Sequence, residues 1–427
     1  MSTILFYTSP ARGHLNPMMD VAVALRSMGH RVVMQTLTSE VDLVERAGLE
    51  HRPISTDTAS LALADYKGSN PLKQLQITGA CWQERASHEV TDLREVVAEL
   101  DPDLLVVDAN SWGAAAFAEG QSRPWAMFLP YCLPAPSPDV PAFGPGFPPP
   151  KNRLDRIRDR VVWSLSKRAT RNSIKKLNAL RAKLGVAALD SYADVYDRAD
   201  LLLYRTAEPF DYPRRDWPES IRAIGPGLWT EPETAPEWIG DLPHPRVLVS
   251  VSTEFQDDGA IIDTALAALA DQPGSVIVTT AALDPSRFHA PNDRVRITRH
   301  LPHAAVLAEV DVLVTHGGMG TTQRALAAGV PVCVIPWGRD QNETARRVRE
   351  CGAGTMVPRS KLSATRVRKG VSDALAMTPG AEQLAAAFGS AGGGARGAEL
   401  LEGLLGEAIV APTPTSPTGA LRPAAPK

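Results

Sequence analysis

Two apolar patterns alternate along the chain: short unbroken runs, and longer stretches with apolar residues at helical spacing. The first run is 4–7, followed by the loop SPARGHLN and a stretch of helical spacing. Asn16 is expected to cap that helix, with Pro17 at its first position and Gly29 just past its end. RVVMQT then reads as a second strand. A helix joining two apolar runs is a βαβ unit, which implies a parallel sheet. DLLVVDA at 103–109 reads as another buried strand, and a helix of small residues follows from Trp112.

Residues 133–150 are rich in proline and glycine and are expected to form a loop. The next stretch, KNRLDRIRDRVVWSLSKRATRNSIKKLNALRAKLG, mixes basic and apolar positions at helical spacing. It reads first as a solvated basic face, and second as a contact for a membrane surface or an acidic partner. Proline, glycine and acid gather at 225–245, where a domain boundary is expected. Strands VLVSVS, SVIVTTA, VRIT, DVLVT and VCVIP follow, alternating with helical stretches. The expected fold class is therefore α/β: two doubly wound, Rossmann-like domains facing a cleft. The expected spans are 1–226, a linker at 227–245, 246–410, and a disordered tail at 411–427 that has no apolar pattern to bury.

Composition narrows the function. At 427 residues the chain exceeds the ~250–300 at which one core stops growing. A net charge of −3 offers no global attraction for nucleic acid. Cys81, Cys132, Cys333 and Cys351 stand apart, with no C-x-x-C pair for zinc or redox chemistry. The first apolar run lacks a basic flank and reads as a strand rather than a signal peptide. The isolated cysteines fit a reducing cytoplasm, and no run approaches the ~20 apolar residues of a transmembrane helix.

In open parallel sheets, ligands bind beyond the carboxyl ends of the strands. His14 and Asp108 are placed there in the first domain. Ser252, Thr253, His316, Asp340 and Gln341 are placed there in the second. A neutral imidazole can take a proton from a hydroxyl, and a buried carboxylate fixes its tautomer. Asp108 could instead cap the helix at Trp112. THGGMGTTQRALAAGVP is the strongest signal: glycines after a strand, then a helix opened by Gly320, Thr321 and Thr322. Free N–H groups and a helix dipole at that point suit a diphosphate, with His316 as a further donor. The P-loop lysine and the spacing G-x-G-x-x-G are both missing, which disfavours an ATPase or an oxidoreductase.

In RGHLNP, RHLPH, HGGMGTT and GVPVCVIPWGRDQ the chain resembles the family 1 inverting glycosyltransferases of GT-B fold. Its proline-rich stretches resemble actinobacterial natural-product and macrolide-type UDP-glycosyltransferases. The resemblance implies His14 as general base and Asp108 as its partner. It assigns the donor diphosphate to Thr253 and His316 with the backbone at Gly318, Gly320 and Thr321, and the nucleotide base to His300 and Leu301; Ser252 is expected on the donor side next to Thr253. Sugar hydroxyls fall to Asp340 and Gln341. Acceptor contacts are expected at Trp82, Trp112, Tyr131 and Phe147.

Relatives usually carry a ribose-binding Glu where this chain has Arg324, preceded by Gln323; a cation cannot accept those hydroxyl protons. Relatives also stack the base on Trp where His300 stands. The implied activity is inverting transfer of a hexose from a nucleotide sugar to a small hydrophobic acceptor. UDP and glucose are favoured, with a dTDP-deoxysugar donor and O- or C-transfer as alternatives. Neither a metal nor a further cofactor is expected, and no nucleic acid; a homodimer is left open. The rivals are an epimerase, which needs cleft carboxylates, and a non-catalytic GT-B partner protein, which would be expected to lose the base or the diphosphate motif.

Overall fold

The computed structural model describes residues 1–410, so the expected disordered tail lies outside the described residues. The first sheet contains β1 (Thr3–Tyr7), β2 (Arg31–Thr36), β3 (Glu50–Pro53), β4 (Leu104–Asp108), β5 (Trp125–Leu129), β6 (Leu201–Tyr204) and β7 (Ile221–Ala223). Their order is β3-β2-β1-β4-β5-β6-β7, and every pairing is parallel. The second contains β8 (Arg246–Ser250), β9 (Ser275–Thr279), β10 (Val295–Thr298), β11 (Val312–Thr315), β12 (Val332–Val334) and β13 (Gly354–Met356). Their order is β10-β9-β8-β11-β12-β13, again all parallel. Helices cover both faces, so central strands such as Leu104–Asp108 and Arg246–Ser250 are buried throughout and are apolar in their interiors, with polar residues only at their ends. Strand order reverses between β1 and β4 in the first sheet, and between β8 and β11 in the second. Those two points open the crevices in which ligands bind.

Two expectations about helices give way. The first helix is Arg12–Ser27, so His14 lies in its first turn and Pro17 in its interior rather than at its start. His14 N and Leu15 N both donate to Ala11 O, at 3.0 and 3.2 Å, which closes the helix before Asn16. Burial of Leu15, Met18, Met19, Ala22 and Leu25 holds the helix against the sheet and outweighs the one bond lost at Pro17. The last helix, Gly393–Val410, was expected with the second domain and packs instead on the first. Ala398, Leu401 and Leu405 share a core with Ile4, Phe6, Leu15 and Met18.

On the opposite face, two long helices lie side by side. Pro71–Leu100 is capped by Asn70, and Arg153–Lys183 by a reciprocal Asn152–Asp155 box. They approach where Gly79 meets Ser173 and Thr170. Among the described residues no helix is long and apolar enough to cross a membrane.

Candidate active site

The carboxyl ends of the two sheets face each other across a cleft of about 1320 Å³. His14 Nδ1 lies 2.7 Å from Asp108 Oδ1. Asp108 closes β4 and is fully buried; its Oδ2 accepts from the Ser9 backbone at 2.9 Å and its Oδ1 from that of Asn110 at 3.2 Å. A carboxylate only accepts, so the Nδ1 proton is assigned to His14 and its Nε2 keeps the lone pair. Burial alone would lower the His14 pKa. The charge and hydrogen bond of Asp108 outweigh it and hold the value above the ordinary histidine range, helped by Glu254 and Asp340 across the cleft. Burial likewise opposes ionisation of Asp108, yet His14 and the bonds from Ser9 hold its pKa below the ordinary range.

Of the four side chains expected to meet an acceptor, three line the cleft. Trp82 and Trp112 pack edge to face at 5.2 Å, Trp112 being almost wholly buried, and the Tyr131 ring lies 5.7 Å from that of His14. Phe147 does not line it: its ring lies 4.3 Å beneath Arg158. The loop turns at Gly144 (φ 115°) and Gly146 (φ 65°), whose N–H groups both donate to Glu343 Oε1 at 2.9 and 2.8 Å. That turn puts Phe143, not Phe147, on the cleft side.

Opposite lie Ser252, Thr253, His300, Leu301, His316, Gly318, Gly320, Thr321, Asp340 and Gln341, all lining the cleft. Gly317 has φ 94°, which favours glycine. At Gly318 a Cβ would stand 2.5 Å from His316 Nε2, so glycine there leaves the imidazole its place. The helix Met319–Ala327 follows, and its first N–H groups have no partner within the helix. Gly320 is exposed there, with open space where a Cβ would be. Burial and the nearby Arg339 charge lower the His316 pKa to about 4, so the ring is neutral at pH 7 and can donate from one nitrogen. Leu301 belongs to the second core, which leaves mainly its backbone to meet a ligand.

Two donor-side expectations change. Arg324 donates to Leu228 O at 3.0 Å and Trp229 O at 3.1 Å, so it ties its helix to the linker. Gln323 likewise donates to Arg205 O at 2.9 Å. Gln341 Oε1 accepts from the backbones of Trp337 and Gly338, and its Nε2 donates to Gln256. That engagement shapes the loop, while Asp340 lines the cleft beside it. Burial raises the Asp340 pKa, partly offset by Arg339 and His14.

The chain is similar to proteins of one kind. Residues 263–392 match the family model "Erythromycin biosynthesis protein CIII-like, C-terminal domain". The 4'-demethylrebeccamycin synthase of Lentzea aerocolonigenes is 31% identical over 383 residues, 86% of this chain and 90% of that one. The calicheamicin glycosyltransferase CalG4 has a similar fold, with TM-score 0.74 over 96% of this chain and 100% of that one at 22% identity. Glycosyltransferase VinC, solved in complex with DTDP, gives TM-score 0.69 over 95% and 100% at 21% identity. This chain belongs to the natural-product family 1 glycosyltransferases.

The transferase thus has the two parallel-sheet domains of the GT-B fold. Sequence reasoning missed several cleft residues. Asn110 lies two positions past Asp108 at the same strand end, a place where any polar residue invites inspection. Arg339 is half-buried, has φ 54°, and pairs with Asp65 at 3.3 Å and Glu254 at 2.9 Å, joining the two domains over the cleft. No local pattern announces that triad. His303, 3.3 Å from Thr279 Oγ1, sat unread inside RHLPH.

Proposed function

We propose that this glycosyltransferase moves the sugar of a nucleoside-diphosphate hexose onto a hydroxyl of a small apolar natural product, such as a polyketide or antibiotic, with inversion at the anomeric carbon. The hydrogen-bonded His14–Asp108 pair, set opposite a free helix N-terminus, carries the reading. The acceptor O–H gives its proton to His14 Nε2, and the oxygen attacks the anomeric carbon. The bond from that carbon to the diphosphate oxygen breaks, and its electron pair leaves with the nucleoside diphosphate. His316 and the N–H groups at Gly320 and Thr321 meet the growing negative charge. Asp108 stabilises the imidazolium that forms. Attack from one domain and departure toward the other put nucleophile and leaving group on opposite faces of the sugar, hence inversion.

Two observations favour a thymidine-diphosphate deoxysugar over UDP-glucose. Arg324, locked on linker carbonyls, leaves no carboxylate at that position for a ribose hydroxyl pair, and a deoxyribose presents one hydroxyl fewer. Gln341, engaged in its own loop, leaves fewer partners for a fully hydroxylated hexose. VinC, of similar fold, was solved with DTDP. The test is thermal shift with dTDP-rhamnose, dTDP-glucose and UDP-glucose, followed by acceptor-dependent release of nucleoside diphosphate from the purified chain. A ligand that binds only the folded state, at ~100 times its Kd, adds ~2.7 kcal/mol. Stabilisation by UDP-glucose alone would overturn the donor assignment. No release with any donor across a polyketide and phenol panel would overturn the transfer itself.

A further inference from the structure

Three side chains continue the His14–Asp108 pair into the acceptor pocket. Asn110 Nδ2 lies 3.1 Å from His14 Nε2. Asn110 Oδ1 accepts from the Tyr131 hydroxyl at 2.8 Å, and the Tyr131 and Tyr196 hydroxyls lie 3.0 Å apart. Burial raises the pKa of both tyrosines, so both keep their protons. The Tyr131 proton fixes the Asn110 amide with oxygen toward the tyrosine and nitrogen toward the histidine. Each group then donates in one direction, ending at the Asp108 carboxylate. Asn110, Tyr131 and Tyr196 all line the cleft.

This chain has a consequence for the acceptor. Imidazole Nε2 has one in-plane lone pair, and Asn110 holds it. An acceptor hydroxyl can donate to His14 only by displacing that N–H. The Asn110 oxygen stays bound to Tyr131, so the amide cannot turn around without orphaning the tyrosine. An apolar acceptor between Trp82, Trp112 and Tyr131 also excludes the water that could otherwise receive the freed N–H. A buried donor left without a partner is costly, more so than an average hydrogen bond is favourable. The remaining partner is the acceptor itself.

We infer that Asn110 is a specificity-determining residue that selects acceptors whose reacting hydroxyl is flanked by a second oxygen, an ortho ether or carbonyl or a vicinal hydroxyl. The hydroxyl donates to His14 while the flanking oxygen accepts from Asn110 Nδ2. This rests on the proposed transfer to a hydroxyl held at His14.

The probes are 3-methoxy-2-naphthol and 6-methoxy-2-naphthol, isomers with the ether oxygen beside the hydroxyl or remote from it. Their dissociation constants are measured by calorimetry on the unaltered enzyme, Asn110→Ala and Asn110→Asp, each checked for folding by circular dichroism. Any internal contact of the flanked isomer is the same against all three proteins and drops out of the comparison. The preference for the flanked isomer should fall about tenfold in Asn110→Ala. In Asn110→Asp, which keeps the shape but replaces the donor by an acceptor, it should fall at least as far. An unchanged ratio in both variants overturns the inference, as does failure of the flanked isomer to bind the unaltered enzyme. Nucleoside diphosphate release is read separately: its absence beside the expected ratios removes the proposed transfer and leaves the recognition.

Discussion

At the scale of single residues, the site turns on where one proton sits. General-base catalysis contributes ~10²–10⁴ in rate, so His14→Ala should lower kcat on an alcohol acceptor by that order. Donor affinity, measured by calorimetry, should hold, because the expected donor contacts lie on the second domain. Near-normal turnover of an alcohol would remove His14 from the mechanism. The pH dependence follows from the direction of the shift. His14 works as a base only when neutral, and Asp108 holds its pKa above the ordinary histidine value. Activity should therefore rise with pH through that raised value and level off above it. Asp108→Asn removes the largest raising influence while burial remains. Its kcat/KM profile should rise at lower pH and reach a lower plateau, since the imidazolium loses its partner charge. A limb that stays put would mean that some other group titrates.

At the scale of elements, the strands were legible because a strand buried on both faces has no polar alternation to obscure it, as in Leu104–Asp108 and Val312–Thr315. Their carboxyl ends led straight to His14, Asp108, Ser252 and His316. What failed was local. Asn16–Pro17 carries a helix-start signal, yet packing of Leu15 began the helix at Arg12. Phe143 and Phe147 look alike in the sequence, and only two left-handed glycines held by Glu343 decide which faces the cleft. Arg324 was read against the ribose, but its partners lie in the linker, far off in the chain. Two substitutions test these elements. Gly318→Ala keeps an ordinary backbone angle (φ −59°) but drives a methyl into His316. The affinity for nucleoside diphosphate should drop about tenfold, the scale of one lost charge-assisted hydrogen bond, with the fold intact. Unchanged affinity would separate His316 from the diphosphate. Arg324→Glu loses both linker bonds and turns a carboxylate toward two carbonyls. The melting temperature should fall without any gain in UDP affinity, whereas tighter UDP binding would return this position to the ribose.

At the scale of the whole molecule, two independent sheets must be held in one relation for His14 and the proposed diphosphate site to meet across the cleft. Part of that hold is electrostatic: the buried Arg347 joins Asp211 at 2.8 Å and Glu343 at 3.1 Å, and Glu343 in turn holds the loop at Gly144 and Gly146. Another part is the chain's return path. After the second domain the backbone crosses back, and the helix Gly393–Val410 lies against Arg12–Ser27, which carries His14 in its first turn. Leu401 is fully buried at that contact, among Ile4, Leu15, Met18 and Leu25. Truncating such a leucine removes its transfer free energy and leaves a cavity that the sheet behind cannot collapse to fill. Leu401→Ala should therefore cost ~2–5 kcal/mol in chemical denaturation. The neighbouring Leu404→Ala, at a partly buried position, should cost less. The loss should appear first as looser structure around the His14 helix, seen as faster amide exchange in Arg12–Ser27, while exchange in β8 and β11 changes little. A cost under about 1 kcal/mol, or loosening confined to the second sheet, would show that the returning helix does not support the domain that carries His14.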